Sequence, residues 1–128
     1  MPAARATPSP ELLIAHALFG GPRDRKVIRL LVDTGAKVTI LPPQVALAIG
    51  CDPAKARRRI AIITASGLEY LPLVTVPRVE ALGCSVRSLT VACHDLPPQS
   101  TVDGLLGLDF LSRVPAFRKF RAALHLLR

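Results

Sequence analysis

Leu-Val-Asp-Thr-Gly-Ala, at residues 31–36, is the stretch of this sequence that decides the fold. It ends a segment rich in branched aliphatic residues, 27–32, which is typical of a β-strand. Asp33 therefore stands at a strand end, where the hydroxyl of Thr34 and the open backbone of Gly35 can approach its carboxylate. A carboxylate in such apolar sequence needs polar partners or a function, so Asp33 is the first candidate for a chemical role.

Of the nine carboxylates in the chain, one other lies in comparably apolar sequence. That residue is Asp109, within the run Gly-Leu-Leu-Gly-Leu-Asp-Phe-Leu at residues 104–111. The remaining seven lie in polar or turn-like contexts and are predicted at the surface or in loops: Glu11, Asp24, Asp52, Glu69, Glu80, Asp95 and Asp103.

Short strand-like segments separated by turn residues make up most of the chain. Strands are predicted at residues 12–19, 27–32, 38–41, 60–64, 68–76, 79–82 and 86–92. A short helix is predicted at 43–49, one helical turn is expected from Leu111 to before Pro115, and residues 117–127 fit a strand or a helix. This pattern predicts a small, mostly β, barrel-like domain with one or two short helices.

The composition indicates one globular domain. The chain has 128 residues, of which 50% are hydrophobic and 20% charged, the reverse of a disordered chain. Residues 1–10 contain three prolines and are predicted to form a flexible N-terminal arm, followed by one domain at 11–128. No apolar run has the length of a membrane span, and residues 12–19 lack the basic flank of a secretory signal, so we expect a soluble, cytoplasmic protein.

The cysteines predict neither a metal site nor a disulfide framework. Cys51, Cys84 and Cys93 contain no Cys-x-x-Cys pair, and their number is odd. Cys93 and His94 are adjacent, so on a strand they point to opposite faces. We expect buried thiols and no cofactor.

The net charge of +8 favours anionic partners, nucleic acid above all. The chain has only five aromatic residues, too few for a stacking platform along a single strand. A bias in codon usage would also explain the positive charge, because Arg is abundant together with Ala, Leu, Val and Pro. Nucleic-acid binding is therefore an alternative that the charge alone does not establish.

Three segments in order resemble the landmarks of aspartic proteases in their single-domain, retropepsin-like form. Residues 31–36 resemble the active-site motif, and residues 104–111 resemble the second landmark, two hydrophobic residues and a glycine before a short helix. Between them, residues 63–70 are similar to the flap hairpin of bacterial members. The resemblance covers residues 11–128 and implies a closed acid-protease barrel with a flap.

The resemblance also implies residue roles. Asp33 is expected to be catalytic, and Asp109 to have a structural role beside the second landmark. Active-site support is expected from Thr34, Gly35 and Ala36, flap and substrate contacts from Thr64, Ala65, Ser66 and Gly67, and structural support from Leu106 and Gly107.

Acid-protease chemistry needs two carboxylates that share a proton, and this chain has one Asp-Thr-Gly. The second carboxylate is therefore expected from Asp33 of another copy across a two-fold axis, so the sequence predicts a homodimer. The resemblance implies that Thr34 hydrogen-bonds across that axis and that the substrate is an extended polypeptide. Together, these expectations predict that the protein is an aspartic endopeptidase.

Two positions depart from the pattern of the family. Lys37 stands where relatives commonly have Ser or Asp, and a cation there would favour ionised Asp33 unless it points to solvent. Leu108 stands where the viral enzymes carry an arginine. Two alternatives to the protease stay open: a peptide-binding module on the same fold with weak or no catalysis, and a basic nucleic-acid-binding protein.

Overall fold

The computed structural model describes residues 13–126, so the predicted arm at 1–10 lies outside the described residues. Within residues 13–126 there are seven strands: β1 (Ile14–Gly20), β2 (Arg25–Val32), β3 (Ile40–Leu41), β4 (Arg58–Thr64), β5 (Gly67–Ala81), β6 (Cys84–Cys93) and β7 (Gly104–Leu106). The helices are α1 (Pro43–Ile49), α2 (Leu108–Leu111) and α3 (Pro115–Leu126), with a 3₁₀ turn at Pro53–Lys55. None of these helices is long and apolar enough to cross a membrane.

Six of the strands close into a barrel. Their hydrogen-bonded order is β1-β2-β7-β3-β6-β5, and β5 pairs with β1 to complete the circuit. The pairs β2–β7 and β3–β6 are parallel, whereas the others are antiparallel. Among the described strands β4 pairs only with β5, so the β4–β5 hairpin extends from the barrel. The predicted closed, mostly β fold is confirmed.

The hydrophobic core is built mainly of aliphatic and aromatic side chains from the strands and from α1 and α2. On β1 the side chains of Ala15, Ala17 and Phe19 alternate inward, as a strand with one buried face requires. The largest fully buried side chains are Phe19, Phe110, Leu30, Leu41, Ile49, Leu106, Leu111, Val76, Val79, Val91, Thr39 and Cys93.

The chain between residues 67 and 81 is one strand, although two were predicted there. β5 runs through both Pro72 and Pro77. Each proline lacks the N–H group that would donate a hydrogen bond to a neighbouring strand. Between β5 and β6, Pro77 is left out of the pairing, and the residue opposite it, Ser88, has a φ of +55°. The strand continues because its neighbours on both sides of this gap pair in the same register.

Helix α1 is confirmed with Pro43 at its first turn and Gly50 in the left-handed region after its end. The helical turn expected after Leu111 was misplaced, since α2 already begins at Leu108. The final segment is a helix, not a strand. Pro115, predicted as a terminator, is the first residue of α3, a position where a missing N–H costs nothing.

Truncating a barrel side chain tests the core against a matched surface leucine. Leu30 is 0% exposed and Leu47 is 52% exposed. Leu30→Ala should lower the free energy of unfolding by about 2–5 kcal/mol, because it leaves a cavity. Leu47→Ala should change it by less than about 0.5 kcal/mol in urea titrations. Equal losses in the two variants would contradict the assigned core.

Candidate active site

Asp33 sits on a tight loop directly after β2. Its backbone N–H donates to the carbonyl of Leu106 at 2.9 Å, which continues the parallel β2–β7 pairing into the loop. Its Oδ1 accepts the N–H of Gly35 at 2.9 Å, and its carbonyl accepts the N–H of Ala36 at 3.2 Å. The Asp33 side chain is half-buried, while Thr34 and Gly35 are exposed. The loop thus presents a carboxylate with little internal bonding to an open face.

Asp109, on α2, is in the opposite situation. Its Oδ2 accepts the N–H of Thr39 at 3.0 Å, and its Oδ1 accepts the Thr39 hydroxyl at 2.7 Å and the N–H of Phe110 at 2.8 Å. Both oxygens are therefore engaged in hydrogen bonds that hold α2 against Thr39, the residue directly before β3. A carboxylate bonded in this way anchors structure.

Thr39 links these segments, and the sequence analysis missed it. It is fully buried, and besides donating to Asp109 its Oγ1 accepts the N–H of Gly107 at 3.1 Å. The available signal was a hydroxyl between two aliphatic residues, Val38 and Ile40, since a buried hydroxyl requires internal partners.

Gly107 allows the β7–α2 turn to approach the loop of Asp33. A Cβ at this position would lie 2.8 Å from the carbonyl oxygen of Ala36 and 2.9 Å from the carbonyl carbon of Val38. The following residue, Leu108, donates its N–H to the same Ala36 carbonyl at 2.8 Å. Only a residue without a side chain fits so close to that backbone.

The β4–β5 hairpin ends in a two-residue turn, Ala65-Ser66, closed by the pairing of Thr64 with Gly67. The Thr64 hydroxyl donates to Oε2 of Glu69 at 2.7 Å and accepts the N–H of Ser66 at 3.2 Å. Gly67 has φ +114°, which favours glycine at this point of the turn. Large apolar side chains on the hairpin are exposed: Ile63, Leu68 and Tyr70.

An apolar groove of about 440 Å³ lies between the loop of Asp33 and the β4–β5 hairpin. It is lined by Gly35, Ala36, Lys37, Val38, Ile40, Ile60, Ala61, Ile62, Leu71, His94, Leu96 and Leu105. The lining continues into a small buried cluster of Ile40, Leu71 and Ala92 beneath it. The groove therefore has a fixed floor and can accept aliphatic side chains.

The structure brings some of the predicted site residues together and leaves others apart. Gly35 and Ala36 line the groove next to Asp33, whereas the turn residues 64–67 do not line it in this single chain. The groove residues His94, Leu96 and Leu105 were not predicted. They reach the groove from two distant segments, and nothing in their local sequence distinguishes them from ordinary strand and loop residues.

The thiols of Cys51 and Cys93 are poor candidates for chemistry. Burial raises the pKa of Cys93 to about 11, with a smaller contribution from Cys51. Burial also raises the pKa of Cys51. Both thiols are therefore protonated at neutral pH. Within residues 13–126 no group of three His, Cys, Asp or Glu side chains is placed to hold a metal ion.

The sequence also matches a known protein family. Residues 23–113 match the family model described as "gag-polyprotein putative aspartyl protease". The match takes in the Asp33 loop, the β4–β5 hairpin and α2, well over half of the chain. The chain belongs to this family. A comparison with curated protein sequences gives no significant match.

Two solved structures superpose on the chain. A retropepsin-like aspartic protease from Rickettsia conorii superposes with a TM-score of 0.62 at 23% identity, over 84% of this chain and 83% of that one. The EIAV protease complexed with the inhibitor HBY-793 superposes with a TM-score of 0.49 at 18% identity, over 84% of this chain and 92% of that one. The first similarity confirms the predicted retropepsin-like fold.

Removing the Thr39 hydroxyl tests the link behind the active-site loop. Thr39→Val keeps the shape but leaves the buried N–H of Gly107 without an acceptor, and it removes the hydroxyl from the three donors to Asp109. We expect a loss of about 1–3 kcal/mol in the free energy of unfolding, measured by urea titration.

Thr75→Val is the matched control, because in the described part of the chain the Thr75 hydroxyl bonds only with that of Thr90, at the surface. It should change the free energy of unfolding by less than about 0.5 kcal/mol. A Thr39→Val protein as stable as this control would overturn the role assigned to the buried hydroxyl.

Proposed function

We propose that this chain is an aspartic endopeptidase that acts as a homodimer on extended polypeptides, with Asp33 of each protomer supplying one carboxylate of the catalytic pair. The position of Asp33 carries the proposal. It is a half-buried carboxylate at a strand end, held by the N–H of Gly35, on the loop whose next residues line an apolar groove. Membership of an aspartyl protease family supports the same reading.

The second carboxylate has to come from another copy of the chain. Asp109, the other carboxylate in apolar sequence, has both oxygens bonded to Thr39 and Phe110. Thr34 is exposed beside Asp33 and is free to bond across a two-fold axis. In an isologous interface each residue near the axis meets its own equivalent, so the two Asp33 side chains would become neighbours.

Two neighbouring carboxylates cannot both ionise easily, so one keeps a proton. The ionised one accepts a proton from a water molecule, whose oxygen attacks the carbonyl carbon of the peptide bond. The protonated one donates to the carbonyl oxygen. When the tetrahedral intermediate breaks down, the carboxyl group that took the proton from water passes it to the amide nitrogen. The other carboxylate takes back the proton it gave to the carbonyl oxygen, and the C–N bond cleaves.

The substrate would lie extended between the active-site loop and the β4–β5 hairpin. Main-chain hydrogen bonds would supply affinity, and alternate side chains would enter apolar pockets such as the groove beside Ala36. In this proposal the hairpin is the flap. Its turn residues Thr64, Ala65, Ser66 and Gly67 would approach the peptide as the flap closes, which would exclude bulk water from the site while the reacting water stays between the two carboxylates.

Asp33→Asn tests catalysis on a diverse peptide library read by mass spectrometry across about pH 3–8. Since an amide cannot serve as the base, cleavage should fall by at least about a hundredfold. Asp24→Asn is the matched control, because Asp24 caps the N–H of Arg25 on an exposed turn, and it should cleave like the wild type. Equal cleavage by Asp33→Asn would refute the catalytic assignment.

Mixing the two proteins tests whether the pair spans a dimer. Wild type and Asp33→Asn are refolded together from urea at fixed total concentration, so that protomers combine at random. If both carboxylates are needed, activity should follow the square of the wild-type fraction. A linear dependence would mean that one protomer suffices and would overturn the shared site.

Dimer formation is measured separately by sedimentation. A dimer that binds peptides without any cleavage dependent on Asp33 would indicate a binding module on the same fold. Affinity for nucleic acid that falls steeply with salt and ignores Asp33→Asn would favour the basic binder instead.

A further inference from the structure

The apolar groove beside the active-site loop carries positive charge at its border. Of the residues that line it, Lys37 and His94 can be cationic, and no carboxylate is among them. The rest of the lining is aliphatic or glycine. A groove with this lining suits a side chain that has an apolar stem and an anionic end.

The charge of Lys37 is not neutralised within the part of the chain that the structure describes. The ion pairs there are Lys26 with Asp24 and Arg78 with Glu80, and neither involves Lys37. Lys37 is exposed, two residues after Gly35 and next to Val38 in the groove wall. Its ammonium group is therefore available to whatever occupies the groove.

We infer that this groove selects an acidic side chain, Glu or Asp, close to the bond that is cleaved, and that Lys37 is the residue that determines this specificity. The inference rests on the proposed function. An ammonium group at the border of an apolar site forms a charge-assisted hydrogen bond with a carboxylate, which is stronger than a bond to a neutral amide. A neutral or basic side chain leaves the ammonium group without a counter-charge and gains less.

The effect is expected to be moderate, because Lys37 is exposed and partly screened by water. A preference of about tenfold in kcat/KM for Glu over Gln is a reasonable size for one such contact. The preference should appear in the library as an excess of Glu and Asp within about three residues of the cleaved bonds.

The decisive measurement compares two peptides that differ only in Glu against Gln at the enriched position. It is made at pH 6, where a free Glu, with a pKa of about 4.3, is ionised. The wild type should favour the Glu peptide by about tenfold. Lys37→Gln should bring the ratio of kcat/KM towards one, and Lys37→Glu should favour a third peptide with Lys at that position.

Lys26→Gln is the matched control, because it removes an equal charge from an ion pair outside the groove. It should keep the selectivity of the wild type. If Lys37 acts instead on the ionisation of Asp33, Lys37→Gln will change kcat for both peptides equally and leave their ratio alone, which would overturn the inference.

The remaining outcomes separate this inference from the proposed function. Cleavage that depends on Asp33 without any acidic preference would reject the groove specificity and leave the protease intact. If no peptide is cleaved, the proposed function fails, and two library peptides that differ only in one Glu against Gln are compared by fluorescence anisotropy. Tighter binding of the Glu peptide, lost in Lys37→Gln, would support the groove specificity, and equal binding would reject it.

Discussion

The buried hydrogen bonds of Thr39 hold together the part of the molecule on which the site depends. Its side chain donates to Asp109 and accepts from Gly107, so it joins two segments about 70 residues apart in the sequence. A buried polar group has to be satisfied, and each of these three residues satisfies another. With the turn at Gly107 fixed, the carbonyl of Leu106 accepts the N–H of Asp33 and sets where the carboxylate lies.

Asp33 and Asp109 show how environment gives one residue type two uses. The carboxylate of Asp109 accepts three hydrogen bonds within the protein, which makes it a rigid anchor. Among the described residues the carboxylate of Asp33 accepts one hydrogen bond, from Gly35. Chemistry at a carboxylate needs lone pairs that are not already occupied, so the anchoring is done by one aspartate and the exposed role is left to the other.

Local sequence patterns predicted most of the strands and α1, and they singled out Asp33 and Asp109 as the two carboxylates in apolar sequence. Helix α1 was predictable because Pro43 and Gly50 act through their own backbone conformations. Strand β5 was divided in error because a proline removes one ladder bond, while the neighbouring pairs on either side, seen only in the structure, maintain the strand.

The groove could be predicted only in part. Val38 and Ile40 lie on the strand predicted at 38–41, directly after the Asp33 loop, and both line the groove. His94, Leu96 and Leu105 were not predicted there, because the barrel brings them there from segments far apart in the chain. Thr39 was missed for a related reason, since its partners, Gly107 and Asp109, come from the other end of the domain.

In the single chain, a carboxylate and exposed apolar side chains lie on the two elements that enclose the groove. Asp33 has a carboxylate with free lone pairs, and the hairpin exposes Ile63, which is 84% exposed, and Tyr70, which is 62% exposed. A protein gains nothing in stability from either feature, because apolar surface left in water contributes no burial and a half-buried charge loses part of its hydration. Their position on the hairpin and the loop that enclose the groove is what a binding site would require, since a peptide and a second copy of the chain could cover both. The buried hydrogen bonds therefore fix the position of the loop, while the Asp33 carboxylate and the exposed side chains of the hairpin remain available for binding.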